Sequence, residues 1–146
     1  MDKRISSLIP HRPPFLWVDK IIATTVNSIT AEKRIPDDLE VFSGHYPGRP
    51  LLPGVLLCEA IFQTGALLIA TILEKKSEDN AYQQKIPVLT KITGAKFKRQ
   101  VLPGDTVQMT VDLIETVASV CFCKGIARVN GKVALKTEFS CALVAP

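Results

Sequence analysis

Two ionisable residues lie in the segment SGHYPGRPLLPGVLLCEAIFQ, which spans residues 43–63. His45 lies in a loop rich in Gly and Pro, whereas Glu59 lies in the apolar run that follows. A histidine titrates near neutral pH and can remove a proton, and a carboxyl group that an apolar pocket keeps protonated can donate one. The pair therefore predicts general acid–base chemistry, although either residue taken alone is more simply explained as a hydrogen-bonded structural group.

The start of the apolar run supplies a third chemical element. A stretch without proline runs from Gly54 to Lys76, directly after Pro53, and predicts a helix over 54–76. Its first backbone N–H groups, near Gly54 and Val55, have no intrahelical partner and carry a partial positive charge. They can stabilise a carbonyl oxygen that gains negative charge. Base, acid and dipole together indicate proton abstraction beside a carbonyl followed by loss of a protonated group, as when a 3-hydroxyacyl thioester loses water.

The rest of the chain predicts an antiparallel sheet around this helix. Ile5, Leu8 and Ile9 have the spacing of one helical turn, 36–53 predicts a long loop, and the polar segment 77–85 is expected to be exposed. Six β-like runs are separated by turn signals, and the hairpin signal Asn130-Gly131 joins the last two. The predicted strands cover 15–23, 28–35, 86–100, 105–117, 119–129 and 132–144.

The predicted helix is nearly long and apolar enough to span a membrane. Glu59 and Gln63 are four residues apart and share one helix face, where a carboxylate would be costly in lipid. We therefore predict a helix that protein buries on every side, not a membrane span.

Length and composition predict a single domain over 1–146. The 146 residues are 47% hydrophobic, which permits a sizeable core and argues against disorder. The formal net charge of +4 favours an acidic partner, but the basic residues are too scattered to predict a nucleic-acid surface. The N-terminal segment MDKRISSLIPHRPPF has no signal-peptide pattern, so we expect a cytoplasmic location.

The four cysteines form no C-x-x-C pair, and we predict that they are small core residues. Cys121 and Cys123 could offer two thiolates from one strand face, but no further ligands cluster with them, and we predict no metal site. Cys58 precedes Glu59, and burial would make its thiol a poor nucleophile, so we predict a packing role.

Four segments resemble the FabZ-type (3R)-hydroxyacyl-[acyl-carrier-protein] dehydratases. GHYPGRPLLPGVLLCEA is similar to the family's active-site pattern G-H-F-P-G-x-P-x-M-P-G-V-L-x-x-E-A, with the same separation of histidine and glutamate. IPHRPPFLWVDKI is similar to its N-terminal I-P-H-R-x-P-F-L-L-V-D-R segment, and AKFKRQVLPGD to A-R-F-R-R-P-V-x-P-G-D. GIARVNGKVALKTEF is similar to the closing hairpin, so the resemblance covers almost the whole chain.

This resemblance implies an α+β hotdog fold and a homodimer with shared active sites, or a homohexamer built as a trimer of such dimers. His45 would be the base on C2, and Glu59 of the partner subunit the acid on the C3 hydroxyl. Gly54 would donate its N–H to the thioester carbonyl, and Gln63 would hold the acid or a water. The implied partner is an acyl carrier protein bearing a 3-hydroxyacyl chain, with no cofactor. Glutamate at position 59 resembles FabZ more than the related FabA dehydratase–isomerases, which carry aspartate there.

Two departures from the family pattern concern substrate binding. Tyr46 replaces a usual phenylalanine, and Val88 and Leu89 replace an aromatic pair often found on the substrate tunnel. We expect these three residues, with Val55, to contact substrate. The helix is expected to line an apolar acyl channel beside Val88 and Leu89 through the side chains of Ile61, Phe62, Leu67 and Leu68.

Three basic residues and the second histidine are the remaining candidate functional residues. Lys96, Lys98 and Arg99 could receive the acidic carrier protein, although a merely solvated strand edge explains them equally well. His11, flanked by prolines and with no acid evident nearby in the sequence, is predicted to be structural. The sequence leaves two other functions open. One is a hotdog thioesterase, although such enzymes generally lack the paired histidine and glutamate. The other is a non-catalytic acyl-binding or assembly subunit.

Overall fold

The fold is that of a computed structural model, which describes residues 2–76 and 85–145. That part of the chain contains two α-helices, six strands and one short 3-10 helix, Glu40–Ser43, in the long loop. The helices are α1 (Lys3–Leu8) and α2 (Gly54–Lys76). The strands are β1 (Lys20–Thr24), β2 (Ser28–Arg34), β3 (Ile86–Phe97), β4 (Thr106–Val117), β5 (Val120–Val129) and β6 (Lys132–Val144).

The strands form one antiparallel sheet in the order β1-β2-β4-β5-β6-β3. Along the first half of β4, Val107, Met109 and Val111 are buried while the residues between them are more exposed. Successive side chains of a strand point to opposite faces, so this alternation places the apolar face of the sheet against α2. β3 differs, because ten of its twelve residues are exposed.

Helix α2 lies inside the curve of the sheet. Ile61, Leu67 and Leu68 are fully buried. At Gly125 of β5 a Cβ would lie 2.2 Å from Cγ2 of Ile61, so only a residue without a side chain lets the sheet approach the helix this closely. The predicted α+β architecture, an antiparallel sheet wrapped around one long helix, is confirmed.

By length and composition α2 could cross a membrane, and it is the one such helix in the described residues. However, 72% of its most apolar window is buried inside the protein, as expected for the core helix of a soluble protein. The predicted burial by protein therefore holds for most of the helix. The exceptions are the two ends of the helix: Val55 at its start, with 74% of its surface exposed, and the charged residues Glu74, Lys75 and Lys76 at its end.

The predicted elements are confirmed apart from their ends. The first strand begins at Lys20 and not at residue 15, because the backbone groups of Phe15 and Trp17 bond to a side chain of α2. The strand predicted to reach residue 100 ends at Phe97, because the next two N–H groups both point to the carbonyl of Ala134. The predicted helical turn near the N-terminus is α1. Of the segment predicted to be exposed, 77–84 lies outside the described residues, and Lys85 is exposed.

Candidate active site

The carboxyl group of Glu59 is held by Gln63, one turn further along α2. Nε2 of Gln63 donates to Oε1 of Glu59 at 3.0 Å. The same amide accepts from the N–H of Trp17 at 2.8 Å and donates to the carbonyl of Phe15 at 2.9 Å. Gln63 is only 1% exposed, so it contacts the acid and the N-terminal segment from inside the protein. Its amide thus positions Glu59 and anchors the chain before β1.

Glu59 opens into a small cavity of about 70 Å³. Within the predicted acyl channel, Phe62 and Leu89 line this cavity, whereas Val88 does not. The channel predicted along Ile61, Leu67 and Leu68 is wrong within one chain, because those three side chains are fully buried in the core against the sheet. The lining residues are His11, Glu59, Phe62, Gln63, Ala66, Pro87, Leu89 and Cys141.

His45 is fixed by its own loop. Its backbone N–H donates to the carbonyl of Val41, and its carbonyl accepts from the N–H of Leu51. Its ring Nδ1 lies 2.9 Å from the carbonyl oxygen of Leu51. A carbonyl can only accept, so Nδ1 must carry the proton, and the neutral ring presents a bare Nε2. The ring of Tyr46 stacks on the imidazole, with centroids 4.2 Å apart, and is itself half exposed.

The start of α2 forms the floor of a second cavity, of about 330 Å³. Gly54 lies there beneath the ring of Phe97, so close that a Cβ at position 54 would be 2.7 Å from the ring. Lys98 and Arg99 line the same cavity. Lys96, the third predicted carrier-binding residue, instead lines a separate groove with Lys124 and Lys136 on the sheet. Only two of the three basic residues are thus brought to the helix start.

His45 is not among the residues that line the Glu59 cavity. Within the described part of one chain, the cavity is lined by the carboxyl group of Glu59, by the amide of Gln63 that supports it, and by the imidazole of His11.

The expectation that His11 has no acid nearby is wrong. Its Nε2 lies 3.9 Å from Oε1 of Glu59, because α2 passes beside the loop that follows α1. Burial lowers the pKa of His11, and neighbouring Arg12 lowers it further, against the opposing effect of Glu59. Sequence reasoning missed this neighbour because the two residues are far apart along the chain.

The thiols near the site are poorly suited to nucleophilic chemistry. All four cysteines are buried, in agreement with the packing role predicted from sequence. Burial raises the pKa of Cys58 above its ordinary value. Burial also raises the pKa of Cys141, which lines the Glu59 cavity, to about 12. These groups are therefore neutral thiols at physiological pH.

Comparison with known proteins identifies the family. A family model described as a FabA-like domain matches residues 9–138. The FabZ 3-hydroxyacyl-[acyl-carrier-protein] dehydratase of Clostridium perfringens is 38% identical over 139 residues, covering 95% of each chain. That of an Anaeromyxobacter strain is 40% identical over 140 residues, covering 95% of this chain and 87% of its own. The chain belongs to the FabZ-type dehydratases.

A solved structure supports the fold of this FabZ-type dehydratase. The dehydratase heterocomplex ApeI:P of Xenorhabdus doucetiae superposes with a TM-score of 0.77 at 17% identity, covering 96% of this chain and 90% of that one. The predicted family, hotdog fold and dehydratase activity in fatty acid biosynthesis are confirmed by these matches. A thioesterase or a non-catalytic subunit is correspondingly disfavoured.

Proposed function

We propose that this FabZ-type dehydratase removes water from a (3R)-3-hydroxyacyl chain on acyl carrier protein, with His45 as base and Glu59 of the partner subunit as acid. His45 takes the proton from C2, and the electron pair forms the C2–C3 double bond. The C3–O bond breaks as the glutamate gives its proton to the hydroxyl, which leaves as water. The products are the trans-2-enoyl thioester and water, and a proton passes from the histidine back to the glutamate to restore the site.

The observation that carries this proposal is the hydrogen bond between Gln63 and Glu59 at a small cavity that Phe62, Ala66 and Leu89 also line. A carboxyl group placed this way has one oxygen held by the protein and the other available to substrate. Entry of an acyl chain would exclude water and favour the protonated acid. The Leu51 carbonyl keeps the proton of the neutral His45 ring on Nδ1. Nε2 is therefore unprotonated and can accept a proton, as a base must.

The thioester carbonyl is proposed to bind at the start of α2. The first N–H groups of the helix, at Gly54 and Val55, would face the oxygen that gains negative charge when the C2 proton leaves. Tyr46 would hold the base by its stacked ring, and Leu89 would contact the acyl chain. Val88 does not line the cavity of Glu59, so the acyl chain is proposed to pass Leu89 and not Val88.

A homodimer with shared sites is proposed from two features. First, His45 does not line the cavity of the Glu59 in its own chain. Second, β3 is an edge strand with several exposed apolar side chains. An uncovered apolar edge promotes association, and an antiparallel copy of the same strand would cover it. The exposed apolar residues of β3 are Val88, Leu89, Ile92 and Phe97.

The proposal extends to the oligomeric state, the protein partner and the cellular location. Three such dimers would give a homohexamer, and the enzyme would act in the cytoplasm. Lys98 and Arg99, which line the cavity at the helix start, would attract the acidic carrier protein, with Lys96 contributing from the neighbouring groove.

Subunit mixing tests the shared site. His45→Ala and Glu59→Gln are each purified as inactive protein and then mixed under conditions that exchange subunits. A heterodimer then has one site with both native groups, so random exchange restores about one quarter of the native sites. Dehydration is measured by enoyl thioester absorbance, exchange by native mass spectrometry, and each variant mixed with itself is the control. Proven exchange without recovery of activity would exclude a site shared in this way.

A further inference from the structure

We propose that His11 is a positioning residue that works with Gln63 to hold Oε1 of Glu59 as a hydrogen-bond acceptor, so that the acid proton is carried on Oε2. The inference rests on the proposed role of Glu59 as the acid. It adds a second histidine to the site and assigns the proton to one oxygen of the carboxyl group.

The orientation of the Gln63 amide supplies the first step. Its oxygen accepts from the backbone N–H of Trp17, which fixes that end of the amide. Its nitrogen therefore faces the carbonyl of Phe15 and Oε1 of Glu59. An amide nitrogen can only donate, so Oε1 must accept, and a proton on the carboxyl group belongs on Oε2.

The ring of His11 supplies the second donor. Its Nε2 lies 3.9 Å from the same Oε1, about 1 Å beyond hydrogen-bond length, so a small rotation of either side chain closes the contact. Its Nδ1 is buried and has no hydrogen-bond partner in the described part of the chain. The neutral ring has a single N–H, and placing it on Nε2 directs that donor toward the nearest acceptor.

Burial of the His11 ring lowers its pKa and keeps the ring neutral, against the opposing charge of Glu59 on α2, and the adjacent Arg12 lowers the pKa further. Cys141 of β6 is a neutral thiol whose pKa is about 12. β3 contributes Pro87 and Leu89, which do not titrate. A neutral N–H donor holds the carboxyl group by a hydrogen bond. A charged imidazolium would instead form an ion pair with the carboxylate and would oppose its protonation.

This arrangement has a consequence for catalysis. When Oε2 gives its proton to the leaving hydroxyl, negative charge develops on the carboxyl group, and the Gln63 donor at Oε1, joined by His11 after a small rotation, stabilises it. Removing one donor should loosen the geometry and make the carboxylate less favourable, so that the acid retains its proton to higher pH.

Variants of His11 test the inference. His11→Leu should lower kcat on the order of tenfold with little change in KM, and should move the alkaline limb of the kcat–pH profile to higher pH. His11→Gln supplies a neutral donor of similar reach and should recover most of both effects. A folded His11→Leu enzyme with unchanged kcat and an unchanged alkaline limb would show that the ring only fills space.

A second measurement does not need an active variant. The chain has two histidines, so NMR of the imidazole protons follows His11 directly once His45→Ala has identified the other ring. Glu59→Gln should lower the titration midpoint of His11, because it removes the charge that favours the imidazolium. An unchanged midpoint would overturn the inference even if His11→Leu does not fold. If Glu59→Gln keeps full dehydratase activity, the proposed acid is wrong, and that result is distinct from a failure at His11 alone.

Discussion

Glu59 lies on a buried helix, whereas His45 lies in a loop at the surface. The acid is held by Gln63, a side chain that is itself bonded to the backbone of two other residues. The base is held by the carbonyl of Leu51, six residues further along the same loop, and by the ring of Tyr46, which is half exposed. The acid is therefore positioned by long-range contacts, and the base by local ones.

The strands show the same contrast. β5 alternates between buried and exposed residues against α2, but β3 is exposed along most of its length although several of its side chains are apolar. The surroundings of Glu59 therefore lie within one chain, whereas the proposed homodimer would complete the surroundings of His45 and cover the edge strand β3.

The largest effect is expected from removing either reacting group. His45→Ala and Glu59→Gln should each lower kcat for dehydration by at least about a hundredfold, the usual contribution of a general acid or base. Turnover of a hydroxyacyl thioester is the measurement, and circular dichroism checks the fold. Glu115→Gln, at an exposed glutamate of β4, is the matched control and should keep full activity. Near-normal turnover in a folded Glu59→Gln enzyme would contradict the assignment of the acid.

The second prediction concerns the support of the acid. Gln63→Leu leaves the buried N–H of Trp17 without its partner and should destabilise the protein by about 1–3 kcal/mol. Thr71→Val is the matched control, since Thr71 is also buried on α2 and donates to the carbonyl of Leu67 in its own helix, and it should cost about 1 kcal/mol or less. Urea unfolding at fixed protein concentration compares the two. Equal losses would mean that Gln63 is an ordinary buried polar residue.

The smallest effect concerns the acyl chain. Leu89 lines the cavity of Glu59 and its neighbour Val88 does not, so Leu89→Trp should narrow the channel while Val88→Trp should not. Losing the burial of one methylene costs about 0.8 kcal/mol, which is roughly fourfold in binding. The ratio of kcat/KM for long and four-carbon substrates should therefore fall roughly fourfold or more in Leu89→Trp alone. If Val88→Trp changes the ratio as much, the acyl chain runs past both faces of β3, and the proposal that it passes Leu89 alone is wrong.

Sequence reasoning predicted most of the fold because its signals were local. A long apolar run without proline predicted α2, and alternating runs with a hairpin signal predicted β4 to β6. It failed where long-range contacts decide the outcome. Phe15 to Trp17 have strand-like side chains, but their backbone groups bond to Gln63 instead of to a neighbouring strand. Three of the helix residues assigned to an acyl channel, Ile61, Leu67 and Leu68, fill the core instead, because α2 packs against the sheet.

By itself, the sequence determined the family, the elements and the candidate acid and base, because motif spacing and hydrophobic period are properties of neighbouring residues. Only the tertiary structure decided what surrounds each candidate. It brought His11 close to Glu59 and directed the Gln63 amide toward that glutamate. It also placed Leu89, but not its neighbour Val88, in the lining of the Glu59 cavity. The physical reason is that packing a sheet around a helix joins residues far apart in sequence, and one-dimensional spacing carries no record of those contacts.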